Sequence, residues 1–144
     1  MDLYEKIAEL SEKKYHCSQM IMIMMLETIG EEQPQIVQTM GGLGGGIGYS
    51  GDSCGCLTGG ACAISYFLGK RDPEDMEDPQ LKPAVQELVQ WFREETEPEY
   101  GHSDCRYITD NLNWNVIMNT CPELIAKTYM KVMEILTERG IIEA

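Results

Sequence analysis

The segment from Gly41 to Gly51 constrains the fold more than any other part of this 144-residue chain. Glycine occupies seven of its eleven positions, a density that is unfavourable in a helix interior and in a central strand. Elsewhere apolar residues recur with a helical period, and no alternation with period two is long enough for a sheet. These patterns predict an all-α bundle of five to seven helices with a glycine-rich loop, folded as a single domain over residues 1–144.

Capping residues, prolines and glycines place the predicted helices on both sides of this loop. Before the loop we expect helices over about the first twelve residues, from Ser18 to Ile29, and from Pro34 to about Met40. After it we expect helices from Gly55 to Leu68, from Leu81 to near Pro98, after Ser103-Asp104, and from Thr120-Cys121-Pro122-Glu123 to Gly140. Residues 70–78 are mostly charged, and this composition predicts an exposed connector between two helices.

The charge of the chain argues against several classes of partner. Twenty-four acidic residues against eleven basic ones give a net charge of −13, which repels nucleic-acid phosphates and anionic lipids. The strongly apolar run from Met20 to Leu26 is too short to span a bilayer, and the first five residues do not have the form of a signal peptide. We therefore expect a cytoplasmic protein with no nucleic-acid or membrane partner. The small-residue face from Gly59 to Ala63 is expected to pack either within the chain or across a homodimer.

Six cysteines carry the strongest functional signal: Cys17, Cys54, Cys56, Cys62, Cys105 and Cys121. Persistent structural disulfides are a poor explanation in a reducing cytoplasm, which leaves metal ligation, thiol chemistry or simple burial. Cys62 has small and apolar neighbours on both sides, and we expect it to pack in the core. For Cys56, ligation and core packing are equal alternatives.

Four of these cysteines fall at predicted helix N-termini, namely Cys17, Cys54, Cys105 and Cys121. Unpaired backbone N–H groups and the helix dipole lower the pKa of a thiol there, and they also stabilise an anionic assembly of thiolates and sulfide. The intervals between the four are long, and the chain has no C-x-x-C motif. A shared site must therefore be assembled by tertiary folding.

Other motifs point to weaker hypotheses. The run from Gly46 to Gly51 matches the dinucleotide fingerprint G-x-G-x-x-G, but its helical flanks lack the required strand. The glycines would instead donate backbone N–H groups to sulfur or form a plain flexible loop. His16 and His102 lie near Cys17 and Cys105 and are candidate ligands, although exposed loop histidines are the favoured interpretation. Core packing is favoured over metal binding for the methionines of one helix, Met20, Met22, Met24 and Met25.

The cysteine and glycine pattern resembles the C_GCAxxG_C_C family of bacterial and archaeal redox-active proteins. The resemblance covers nearly the whole chain and is carried by His16-Cys17-Ser18-Gln19, Gly44-Gly45-Gly46-Ile47-Gly48, Cys54-Gly55-Cys56-Leu57-Thr58-Gly59, Asp104-Cys105-Arg106 and Cys121-Pro122. It implies a redox site at Cys17, Cys54, Cys105 and Cys121, with an iron–sulfur centre as the expected cofactor. The chain departs from the family at Cys56, where the family usually has alanine.

Three hypotheses follow for the site. The leading one is a cysteine-ligated iron–sulfur cluster, [2Fe–2S] for so few ligands, that exchanges single electrons with a partner protein, with Cys17, Cys54, Cys105 and Cys121 as ligands and Cys56 as a fifth candidate. The second is metal-free thiol–disulfide chemistry with Cys54 as the attacking group. The third is a structural zinc site in a module that only binds partners.

Overall fold

The structure is a computed structural model that describes residues 2–143. This range contains a 3₁₀ helix, Met40–Leu43, and no strand beyond an isolated bridge between Ser53 and Asp104. Its α-helices are α1 (Leu3–Glu12), α2 (Cys17–Ile29), α3 (Pro34–Thr39), α4 (Gly55–Leu68), α5 (Leu81–Tyr100), α6 (Cys105–Ile108) and α7 (Trp114–Glu138). The prediction of an all-α bundle of five to seven helices is confirmed.

Helices α2 and α4 form the centre of the bundle, with α5 and α7 packed on α4 and α1 packed on α7. Glycines of α4 let two neighbouring helices approach closely. A Cβ atom on Gly59 would lie 2.8 Å from the Cα of Ser18 in α2, and one on Gly60 would lie 2.9 Å from the Cδ2 of Leu88 in α5. Both glycines of this small-residue face therefore pack within the chain.

Helix α2 is apolar almost all round, as expected for a helix at the centre of a core. The prediction of core packing is confirmed for its four methionines, all of which are buried: Met20, Met22, Met24 and Met25. The helix ends where Gly30 adopts a left-handed conformation, with φ of +74°. None of the described helices is both long enough and apolar enough to cross a membrane.

Helix α7 differs most from its prediction. The helix begins at Trp114, where the side chain of Asn113 accepts hydrogen bonds from the amides of Asn115 and Val116. The predicted start at Thr120-Cys121-Pro122-Glu123 is therefore wrong, and Cys121 lies inside the helix. A proline in a helix interior leaves the carbonyl four residues earlier without its donor, but it does not prevent the helix from continuing. A proline also lies inside α5, which continues past Pro98 to Tyr100.

The glycine-rich loop is an ordered turn of the opposite hand to an α-helix. Five consecutive residues, from Gly45 to Tyr49, have φ between +61° and +74°. The turn is closed by backbone hydrogen bonds, including those from the amide of Tyr49 to the carbonyl of Gly44 and from Asp52 to Gly46, each 3.0 Å. Because glycine adopts positive φ without steric cost, the dense glycines permit this path. No strand precedes the turn in the described chain, so the context of a dinucleotide site is missing.

Candidate functional site

A cavity of about 390 Å³ lies between α1, α2, the glycine-rich loop and the first turns of α7. Five of the six cysteines line this cavity: Cys17, Cys54, Cys56, Cys105 and Cys121. They come from helices that are far apart in the sequence. Tertiary folding thus brings the four cysteines of the predicted site together, and it adds Cys56 to them.

Local structure places three of these thiols at the start of a helix. Cys17 is the first residue of α2, Cys54 directly precedes α4, and Cys105 is the first residue of α6. The fourth predicted position is different, because Cys121 reaches the cavity from the interior of α7. A helix N-terminus therefore does not explain why Cys121 lies at the site.

The pKa of Cys56 depends on two neighbouring thiols. Cys56 is only 1% exposed, and interactions of its thiol with Cys17 and Cys54, together with burial, raise its pKa well above the ordinary value. The interaction with Cys56 instead lowers the pKa of Cys17, with help from the backbone N–H groups of Ser18 and Gly45. Cys17 is thus a thiol whose surroundings stabilise the negatively charged thiolate form.

The backbone around Cys17 has no room for side chains. A Cβ atom on Gly55 would lie 2.5 Å from the sulfur of Cys17. A Cβ atom on Gly46 would lie 2.7 Å from the Cβ of Cys105 and 2.6 Å from the backbone of Asp52. The glycine-rich loop therefore approaches Cys105 closely, and the start of α4 approaches Cys17 closely. The backbone N–H of Gly45 in the loop contributes to the lowered pKa of Cys17, in the direction of the sequence-based alternative that loop N–H groups interact with sulfur.

Burial is the main influence on the pKa values of two other cavity thiols, those of Cys105 and Cys121. It raises the pKa of Cys105 to about 11, with a further contribution from negative charge at Cys54. Burial also raises the pKa of Cys121 strongly, followed by the charges of Cys17, Cys54 and Cys105. The lowered pKa expected for these two cysteines is therefore wrong, because desolvation of the thiolate outweighs any stabilisation from a helix terminus.

His16 and Tyr49 form a pair beside the thiols. Both line the cavity, and the hydroxyl of Tyr49 lies 3.0 Å from Nδ1 of His16. Burial, and then the charges of Cys17 and Cys105, raise the pKa of Tyr49. Sequence reasoning missed this tyrosine, although a lone aromatic side chain within the glycine-rich loop was a usable signal. The second candidate histidine, His102, does not line the cavity, and its Nδ1 accepts a hydrogen bond from the amide of Asp104.

The sixth cysteine is separate from this group. Cys62 does not line the cavity and is a partly buried side chain packed against the core, as predicted. Burial raises its pKa as well. Cys62 therefore provides a natural internal control for experiments on the other five.

The five thiols fit the ligand chemistry of an iron–sulfur centre, which thiolates hold and backbone N–H donors tune. In residues 2–143, however, no group of three or more histidine, cysteine, aspartate or glutamate side chains is arranged to hold a single metal ion. Binding one zinc ion at the centre of these cysteines would therefore require the thiols to move together. Tetrahedral zinc needs four ligand atoms at about 2.0–2.3 Å.

Comparison with known families finds a match over most of the chain. The family model described as "Putative redox-active protein (C_GCAxxG_C_C)" matches residues 15–135, a span that includes all five cavity cysteines. A search of curated proteins and a search of solved structures each found no match.

Proposed function

The chain belongs to the C_GCAxxG_C_C family of redox-active proteins, and from this premise we propose that its cavity thiols hold a [2Fe–2S] cluster that exchanges electrons with a partner protein. The proposal draws its ligands from Cys17, Cys54, Cys56, Cys105 and Cys121. We further propose that the protein works in the cytoplasm, because its six cysteines are all free thiols.

One observation carries the proposal: five thiols from four helices meet around one cavity, where backbone N–H groups lower the pKa of Cys17. Iron–sulfur clusters need several thiolates and have reduction potentials that depend on hydrogen bonds to sulfur and on solvent access. Packing of a hydrophobic core would gain nothing from stabilised negative charge at Cys17. Simple burial therefore explains Cys62 but not the cavity group.

The cluster, when bound, would supply one-electron transfer. The side chains of the site would set the conditions for that transfer. The backbone N–H groups of Gly45 and Ser18 lower the pKa of Cys17 and so favour extra negative charge there. Burial of Cys54 and Cys105, each 6% exposed, limits the access of water to the thiolates.

The test is anaerobic purification followed by a visible spectrum and by iron, sulfide and zinc analysis of one sample. We expect broad visible absorption with iron and acid-labile sulfide in matching amounts. Serine is then substituted singly at each of the five cavity cysteines. Cys62→Ser is the matched control, because that thiol lies outside the cavity.

Loss of iron and sulfide in the cavity variants, with full retention in Cys62→Ser, would support the proposal. A single cavity variant that keeps its cluster would identify the one thiol that is not a ligand. A wild-type protein without iron and sulfide would overturn the proposal, as would full iron content in all five variants. Stoichiometric zinc in a colourless protein would replace the cluster with a structural zinc site.

A second candidate function is metal-free thiol–disulfide exchange, favoured by the contact between Cys56 and Cys17. The thiolate of Cys17 would attack one sulfur of a substrate disulfide and release the other sulfur as a thiolate. The thiol of Cys56, after losing its proton, would then attack the mixed disulfide. This step would leave a Cys17–Cys56 disulfide and release the second substrate thiolate, so that two protein thiols are oxidised as one disulfide is reduced.

Glutathione disulfide tests this second function on the reduced, metal-free protein. Two thiols should be lost and then recovered with dithiothreitol, and peptide mapping should find Cys17 joined to Cys56. The Cys62→Ser variant should lose the same two thiols. Loss of no thiol, or pairing that involves neither Cys17 nor Cys56, would contradict it.

A further inference from the structure

The first turns of α7 extend beyond the hydrophobic core. The buried residues of this helix begin at Leu124. The turns before it nevertheless carry apolar side chains at the spacing of one helix face, Trp114, Ile117, Met118 and Cys121, and all four line the cavity. An amphipathic helix normally buries such a face against another element. Here the face borders open space.

The opposite side of the cavity is also apolar. Ile7 lines it from α1, Tyr15 from the turn after α1, and Met20 from α2. Trp114 remains 67% exposed and Met118 46% exposed even though both line the cavity. The cavity therefore has an inner end formed by thiols and an outer end formed by aromatic, aliphatic and thioether side chains.

The volume of the whole cavity and the side chains at its outer end indicate which kind of molecule could bind there. A volume of about 390 Å³ falls in the range of small-molecule pockets, about 300–1,000 Å³. Aromatic rings and methionine sulfur both favour contact with other aromatic rings. The charges of Glu12 and Lys14, which also line the cavity, offset each other, and the net charge of −13 opposes the approach of an anion.

We propose that the outer end of this cavity binds a small aromatic molecule without negative charge, held between Tyr15 on one side and Trp114 and Met118 on the other. The bound molecule would lie next to the thiols and cover the apolar face of α7. The inference does not depend on bound iron, because the outer end is formed by side chains that are not ligands.

The test compares two fluorescent probes that share the same aromatic skeleton. N-phenyl-1-naphthylamine is uncharged, and 8-anilinonaphthalene-1-sulfonate carries a negative charge. Each is titrated into the protein as purified. We expect saturable one-site binding of the uncharged probe, and binding of the sulfonate weaker by about tenfold.

Two methionines of α7 provide a matched pair of variants. Met118 is 46% exposed and lines the cavity, whereas Met130 is 50% exposed and does not. Met118→Ser should weaken binding of the uncharged probe by about tenfold, because the contact area of a large side chain is lost, and Met130→Ser should leave it unchanged. Trp114→Ala replaces Met118→Ser if circular dichroism shows that the latter is unfolded.

The proposal would be overturned if the uncharged probe does not saturate, if the sulfonate binds at least as tightly, or if the Met118 and Met130 variants bind equally well. Light scattering adds an independent check. A dimer that must dissociate before the probe binds would assign the apolar face of α7 to a second copy of the chain, and this result would also overturn the proposal.

Discussion

Gly55 borders the sulfur of Cys17 so closely that a Cβ atom at position 55 would lie 2.5 Å from it. The same Cβ atom would lie 3.3 Å from the carbonyl oxygen of Leu43. The start of α4 therefore packs directly against the start of α2, with the sulfur of Cys17 in the contact between the two helices.

Gly55→Ala should destabilise the protein by about 1–3 kcal/mol, because the new methyl group overpacks the contact with Cys17. Alanine would otherwise be favoured here, since it is a better helix former than glycine. Urea denaturation measures the change in the free energy of unfolding. Gly42→Ala is the control, since a Cβ atom there would meet nothing within 4 Å. Equal stability of the two variants would contradict the close contact.

Arg106 attaches α6 to the end of the glycine-rich loop. Its Nε donates to the carbonyl of Gly51 at 3.0 Å, and its terminal nitrogen lies 2.8 Å from a carboxylate oxygen of Asp52. Arg106→Lys keeps the charge but loses this forked geometry, so we expect a loss of about 1 kcal/mol and faster amide exchange from Gly45 to Asp52. Arg93→Lys, on the exposed side of α5, is the control. Unchanged exchange in the loop would show that Arg106 does not anchor it.

High pH should destabilise the reduced, metal-free protein through Cys105. Burial raises the pKa of this thiol from an ordinary value of 9.0 to about 11. The folded state therefore holds the proton more tightly than the unfolded state. The resulting stability is complete below pH 9 and is lost as the pH rises through about 11, by up to about 2–3 kcal/mol.

Urea denaturation between pH 8 and 11 checks this dependence. The Cys105→Ser variant should lose less stability over that interval than the parent, although the raised pKa of Cys121 gives a remaining slope of the same sign. Below pH 8 the two curves should run parallel, which separates titration from a constant packing effect. Parallel curves over the whole interval would rule out Cys105 as the source.

Ile47 is an unfavourable residue for its own backbone conformation. Its φ is +64°, and its side chain is 47% exposed, so it gains little from packing. Ile47→Gly should stabilise the protein by about 0.5–1 kcal/mol, because relief of a left-handed conformation exceeds the added entropy of the unfolded chain. Ile47→Ala keeps a Cβ atom and should give no such gain. Thermal unfolding of both variants measures the difference, and a less stable glycine variant would contradict it.

Local sequence signals placed most helices well. Pro34 is the first residue of α3, and Gly30 ends α2 in a left-handed conformation, both as such residues commonly do. The signal at Thr120-Cys121-Pro122-Glu123 failed for a reason that is equally physical. Asn113 caps the same helix two turns earlier, and the helix accommodates Pro122 in its interior. A capping pattern cannot reveal whether the preceding turns are already helical.

The left-handed turn from Gly45 to Tyr49 lay beyond prediction for another reason. The glycines indicated that the backbone would depart from helix and strand, but glycine permits many conformations equally well. The particular path is set by contacts with distant residues, such as the hydrogen bond from the Cys105 amide to the carbonyl of Asp52, 2.7 Å long.

The sequence by itself determined the helical class of the fold, the position of the glycine-rich loop and the start of α2 to within one residue, because these depend on residues within one or two turns of each other. Only the tertiary structure decided that Cys56 joins the group, and that the pKa is lowered at Cys17 but raised at Cys105 and Cys121. Burial and the distances between thiols are set by helices that are remote in the chain, so no local pattern encodes them.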